Sequence, residues 1–168
     1  MMSKRLNTKD LVGKIEKMTK ARIASQPVVA LDDFREAKKK LEPKTLLIIE
    51  DDESMRAALQ RIFKADGYLL KIAADATELS QVLDDSPIDL ILLDVGLPWI
   101  NGFELAQLLK EHKDLKAIPL VFVSGNASDD DVKQAFSLGA DDFVKKPFDV
   151  DKLKKTVSTL LKLHDQST

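Results

Sequence analysis

The sequence predicts an α/β domain in which five parallel strands form a sheet covered by helices on both faces, with a basic helical extension in front. Three observations lead there. Short branched apolar runs alternate with amphipathic stretches from Thr45 onward, the central runs carry almost no polar residue, and glycines and capping residues fall at the seams. An apolar run without alternation suits a strand buried on both sides, as in a parallel sheet.

The five runs are Leu46-Leu47-Ile48-Ile49, Tyr68-Leu69-Leu70-Lys71-Ile72-Ala73, Leu90-Ile91-Leu92-Leu93, Leu120-Val121-Phe122-Val123 and Asp142-Phe143-Val144-Lys145. Helical patterns follow them at 54–65, 76–84, 102–112, 129–138 and 150–163. In the last, Leu153, Val157, Leu160 and Leu161 recur at i, i+4, i+7 and i+8, one apolar stripe facing a sheet. Asp75-Ala76-Thr77-Glu78 and Ser128-Asp129-Asp130-Asp131 resemble capping boxes, and Gly67 and Gly139 stand where two helices should end. Strands joined through helices require right-handed crossovers. Lys71 marks the second strand as an edge, which fits a doubly wound, flavodoxin-like order 2-1-3-4-5 with its switch point between strands 1 and 3.

Residues 1–43 differ in kind. They hold 11 Lys/Arg against 6 Asp/Glu (+5), whereas residues 44–168 hold 15 against 22 (−7). Asn7 or Thr8 is placed to cap a helix with Leu11, Ile15 and Met18 on one side, Gln26-Pro27-Val28-Val29 breaks it, and a second short helix starts at Asp32 or Asp33. That helix carries Phe34, Ala37 and Leu41 and ends by Pro43. Helices this short need a packing surface. The extension therefore packs on the domain, pairs copies of the chain, or waits unfolded for a partner, and an interaction arm is the preferred reading. The expected division is an extension at 1–43, an α/β domain at 44–165 and a tail at 166–168.

Composition removes several chemistries. The chain has no cysteine, so disulfides, thiolate metal sites and cysteine nucleophiles are excluded. No apolar run approaches the roughly 18 residues of a membrane span. Met1-Met2-Ser3-Lys4 leads into no apolar signal region, which makes a cytoplasmic location the expectation. The acidic larger part lacks the basic footprint of a nucleic-acid binder.

The predicted topology collects chemistry at one rim. Glu50 and Asp51 follow strand 1, Asp94 ends strand 3, Ser124 ends strand 4 and Lys146 follows strand 5. Three carboxylates so close raise one another's pKa unless a cation is present, and hard oxygen ligands favour Mg²⁺. Such a set suits phosphoryl transfer to a carboxylate. Asp94 would be the nucleophile, with Lys146 and Ser124 on the phosphoryl oxygens. The Gly96 carbonyl would complete the metal shell, and Gly125 would leave room for a donor. Of the three successive acids at 50–52, Asp52 is the expected helix cap.

The segments Leu47-Ile48-Ile49-Glu50-Asp51-Asp52, Asp89 through Pro98, and Phe143-Val144-Lys145-Lys146-Pro147-Phe148 resemble the receiver domain of two-component response regulators, over about residues 44–165. The resemblance implies Asp94 as phosphoacceptor, Glu50 and Asp51 as the Mg²⁺-binding acids, Ser124 and Phe143 as the switch pair, and Lys146, before Pro147, as the phosphoryl-binding lysine. It implies a sensor histidine kinase or phosphotransfer protein as donor and a downstream protein as target. Departures from the family pattern are Glu50 for the commoner Asp, Ser124 for Thr, and Asn101-Gly102 for Asp-Gly. Gly96 and Asn126 occupy two variable positions beside the site.

After the fifth helix only Leu163 to Thr168 remain, so a stand-alone receiver is expected. One rival is a pseudo-receiver that binds a protein without phosphorylation. A flavodoxin-like enzyme would instead need a glycine-rich first loop, where this chain has Glu50-Asp51-Asp52.

Overall fold

A computed structural model describes residues 8–25, 31–85 and 87–167. The expected break at 26–29 and a cap at Asn7 lie outside them. The chain divides between Glu42 and Pro43 into two units. The first contains α1 (Thr8–Ser25) and α2 (Leu31–Leu41). On α1, Leu11, Ile15 and Met18 are exposed, as is Phe34 on α2.

The second unit alternates strand and helix: β1 (Thr45–Ile49), α3 (Glu53–Ala65), β2 (Leu69–Ala73), α4 (Ala76–Asp85), β3 (Leu90–Leu93), α5 (Gly102–Glu111), β4 (Leu120–Ser124), α6 (Asp129–Ser137), β5 (Asp142–Lys145) and α7 (Val150–Ser167). The sheet order is β2-β1-β3-β4-β5, all parallel, which is the predicted flavodoxin-like arrangement. Every residue of β1, β3 and β4 is buried, and β2 is the half-exposed edge that Lys71 marks.

The sheet's two faces build two cores. Leu46, Ile48, Leu90, Leu92, Val121 and Val123 pack with Leu59 and Phe63 of α3 and with Leu153, Val157 and Leu161 of α7. Their sequence neighbours Leu47, Ile49, Ile91, Leu93 and Phe122 pack on the opposite face with α4, α5 and α6. Side chains alternate along a strand, so an unbroken apolar run is what two covered faces require.

Caps set the helix entries. Asp52 accepts from the Met55 amide at 2.7 Å, and Ser128 and Asp131 form a reciprocal capping box. The Asp75–Glu78 box is displaced: Asp75 accepts from the Glu78 amide at 2.8 Å, while Glu78 reaches back to the Ala74 amide at 2.7 Å. Gly67 and Gly139 have φ of 84° and 95°, the left-handed conformation that ends α3 and α6. Helix α7 continues to Ser167, past the expected end at 163 and into the expected tail. The bond from Lys44 Nζ to Asp165 Oδ1, 2.6 Å long, ties that added turn to the start of β1.

Candidate functional site

The sheet's own hydrogen bonds place the site. Beyond the last residue pairs, the Glu50 amide donates to Ala73 O at 3.2 Å, the Asp94 amide to Ile49 O at 3.0 Å, and the Lys146 amide to Ser124 O at 2.8 Å. Glu50, Asp94 and Lys146 are thus each the first residue past a strand end, held to the neighbouring strand. The carboxylates of Glu50, Asp51 and Asp94 bring one oxygen each within 4.8 Å of the others. Lys146 Nζ lies 2.6 Å from Glu50 Oε2 and 3.7 Å from Asp94 Oδ1. Its peptide bond to Pro147 is cis.

Burial sharpens the electrostatics. Glu50, Asp94 and Ser124 are buried, whereas Asp51 is exposed. Burial pushes the Glu50 carboxyl above its ordinary value; the hydrogen bond from Lys146 opposes that shift and the nearby Asp94 charge adds to it. An acid with a raised native pKa stabilises the fold fully below its unfolded value and loses that contribution as pH rises through the native one. Without divalent cation, raising the pH above 4.5 should therefore lower the melting temperature of the wild type relative to Glu50→Gln. Melting curves in chelator across this range check it, and a constant difference between the two proteins would refute it.

All-oxygen donors, one of them exposed and one strained by desolvation, fit a hard divalent cation that keeps some of its waters. A Cβ built on Gly96 would stand 3.9 Å from Asp94 Oδ2, and one on Gly125 would meet nothing within 4 Å. Both positions have space where a side chain would stand. Ser124 ends β4 in register with Lys145, whose own side chain turns outward toward Asp129. The half-buried ring of Phe143 lies 5.8 Å from Phe122, which lies 5.3 Å from Phe103 on α5. Beside it, a groove of about 520 Å³ runs between α6 and α7, lined by Val132, Asp142, Phe143, Phe148 and Lys152.

Four contacts in and around the site are not evident in the sequence. Arg56 Nη1 donates to the Glu50 carbonyl at 3.1 Å and to that of Asp51. Trp99 Nε1 donates to Ala74 O at 3.1 Å, pinning the loop after β3 to the loop after β2. Asn101 caps α5 by accepting from the Phe103 amide at 2.8 Å. Gly102 packs its Cα against the backbone of Asp94 and Val95. The Asn-Gly pair signals a turn, but nothing in it reports that close approach. Of the two histidines, His112 is exposed and His164 is half-buried.

Residues 46–158 match the family model described as the response regulator receiver domain. The chain belongs to the response regulator receiver family. Its receiver is 34% identical over 119 residues to the TorCAD operon transcriptional regulatory protein TorR of Escherichia coli O157:H7, covering 71% of this chain and 50% of that protein. It is 35% identical over 116 residues to the aerobic respiration control protein ArcA of Escherichia coli K12, covering 69% and 48%. The chain thus spans about half the length of these curated relatives.

Among solved structures, a CheY-like receiver domain protein from Methanospirillum hungatei superimposes with a TM-score of 0.69 at 28% identity, covering 76% of this chain and all of that one. The receiver of a Syntrophus aciditrophicus signal transduction histidine kinase gives 0.65 at 31%, covering 71% and 90%. A receiver is the phosphoacceptor module of two-component signalling, and phosphorelay signalling is the general setting of this one. Among the described residues, no helix is long and apolar enough to cross a membrane.

Proposed function

We propose that this receiver accepts a phosphoryl group on Asp94 from a histidine kinase or a phosphotransfer protein and that the modification switches binding of a downstream protein. The observation that carries the reading is the placement of Lys146 Nζ between the Glu50 and Asp94 carboxylates, at 2.6 and 3.7 Å, on the rim of the sheet. An Asp94 oxygen attacks phosphorus while the bond from phosphorus to the donor's imidazole nitrogen breaks. The electron pair leaves with the imidazole, which takes up a proton. Lys146 and the Ser124 hydroxyl hold the transferred oxygens. Glu50, Asp51, Asp94 and the Gly96 carbonyl would hold Mg²⁺, which when bound neutralises charge on the phosphoryl oxygens.

Lys146 leaves Glu50 for the phosphoryl group, Ser124 moves toward it, and the ring of Phe143 turns further inward along Phe122. The groove between α6 and α7 changes shape as Phe143 moves, and that face reports the state of Asp94. The receiver itself assists its own phosphorylation and dephosphorylation and acts on no separate substrate. Its charge of −7 over residues 44–168 opposes contact with a nucleic-acid backbone, so the partner at this face is a protein. The basic arm at 1–43 is a second place for docking or for pairing of copies.

Incubation of the full chain with a small acyl phosphate and Mg²⁺ tests the reading. Phosphate should be incorporated, depend on the cation, and map to the peptide containing Asp94. No incorporation would leave the pseudo-receiver alternative in its place.

A further inference from the structure

We infer that Arg56 is a positioning residue for the metal-binding acids: its guanidinium holds the loop between β1 and α3 so that Glu50 and Asp51 present their carboxylates to a divalent cation. This rests on the proposal that these acids bind Mg²⁺. Arg56 lies in the first turns of α3, half-buried, with its amide bonded to Asp52 O at 2.9 Å. From there its side chain folds back along the helix entry, and Nη1 reaches the carbonyls of both Glu50 and Asp51.

The loop it holds is the most strongly self-repelling segment of the site, with carboxylates at three consecutive positions. Two of these are anchored by other means. Glu50 is bonded through Oε2 to Lys146 and through Oε1 to the Asp52 amide, and Asp52 caps α3. Asp51 is exposed, and its carbonyl is fixed by Arg56.

The choice of acceptor is the informative part. Lys146 brings a positive charge to the acids by occupying a Glu50 carboxylate oxygen. Arg56 brings its charge to the same loop through backbone carbonyls and so takes up none of the carboxylate oxygens that a cation would use. A planar guanidinium with several fixed donors can span two adjacent carbonyls, whereas an ammonium presents a compact point charge. Groups that orient ligands without touching the metal govern its affinity strongly.

The test is a calorimetric Mg²⁺ titration of the full chain, wild type against Arg56→Ala and Arg56→Lys. Loss of the guanidinium should weaken Mg²⁺ binding about 10-fold. Arg56→Lys should recover part of that loss. The Mg²⁺ concentration for half-maximal phosphate incorporation should rise by the same factor, with the maximal rate affected less. An unchanged Mg²⁺ affinity in a cooperatively melting Arg56→Ala protein overturns the inference. Should that variant fail to melt cooperatively, Arg56→Lys decides, and wild-type affinity there overturns it equally. A wild type that binds no Mg²⁺ overturns the underlying reading of the site and this inference with it.

Discussion

Asp94→Asn is expected to reduce phosphoryl incorporation to background and, in the same protein, to raise the melting temperature measured without Mg²⁺. The first effect follows from chemistry. An amide oxygen is a poor nucleophile toward phosphorus, and neither Glu50, bonded to Lys146 and the Asp52 amide, nor the exposed Asp51 replaces Asp94 at the end of β3.

The second effect follows from charge. Three carboxylates share the rim with one ammonium, and Asp94 is among the causes that raise Glu50. Asparagine keeps the shape and removes one of the three negative charges. Lys146 gives up an interaction at 3.7 Å but keeps the one to Glu50 at 2.6 Å. The net gain should be about 1 kcal/mol, or roughly 3–6 °C for a domain of this size. Radiolabel incorporation and calorimetry on the same preparation check both parts. Retained labelling would remove Asp94 from its role, and a lowered melting temperature would mean that Lys146 more than compensates the repulsion.

Gly102→Ala should be the most damaging of the glycine-to-alanine changes. A Cβ there would stand 2.5 Å from Asp94 O and 2.5 Å from Val95 Cα, with Val95 O at 3.0 Å. These are backbone atoms, held in turn by the Gly102 amide's bond to Val95 O at 2.9 Å and by the Asp94 amide's bond to Ile49 O at 3.0 Å. They cannot swing away as a flexible side chain would. Relief has to come from moving the start of α5 or the end of β3, at about 3 kcal/mol.

The displaced segment is the one that aims Asp94. Phosphate incorporation should therefore fall by about 10- to 100-fold beyond what lost stability explains. Leu109→Ala, a buried position near the far end of α5, supplies the control, because it should lose comparable stability and keep incorporation. Equal incorporation in the two variants would show that Gly102 matters for folding alone.

Most of the α/β fold was legible because its signals are local. A strand covered on both faces must be apolar at every position, as Leu46 to Ile49 and Leu90 to Leu93 are, and such runs need no knowledge of their neighbours. The positive φ of Gly67 and Gly139 likewise follows from a chain that must leave a helix. Errors lie where long-range contacts act. Helix α7 gains its last turn beside the Lys44–Asp165 pair, 121 residues apart in sequence. Glu78 bypasses the expected cap position for the Ala74 amide, in the loop that Trp99 holds from the loop after β3.

The candidate site divides in the same way. The types and order of Glu50, Asp51, Asp94, Ser124 and Lys146 were readable because each immediately follows or ends an apolar run, and a parallel sheet sends all such ends to one edge. By itself the sequence thus determined which residues meet and what chemistry their types allow. Tertiary structure decided how they meet. Lys146 sits closer to Glu50 than to Asp94, Phe143 packs tilted against Phe122, Arg56 grips the loop carbonyls, and Gly102 lies against the backbone of Asp94. Strand ends are set by hydrophobic pattern, which one sequence carries. Distances between side chains from separate strands depend on register and loop path, which exist only once the sheet has assembled.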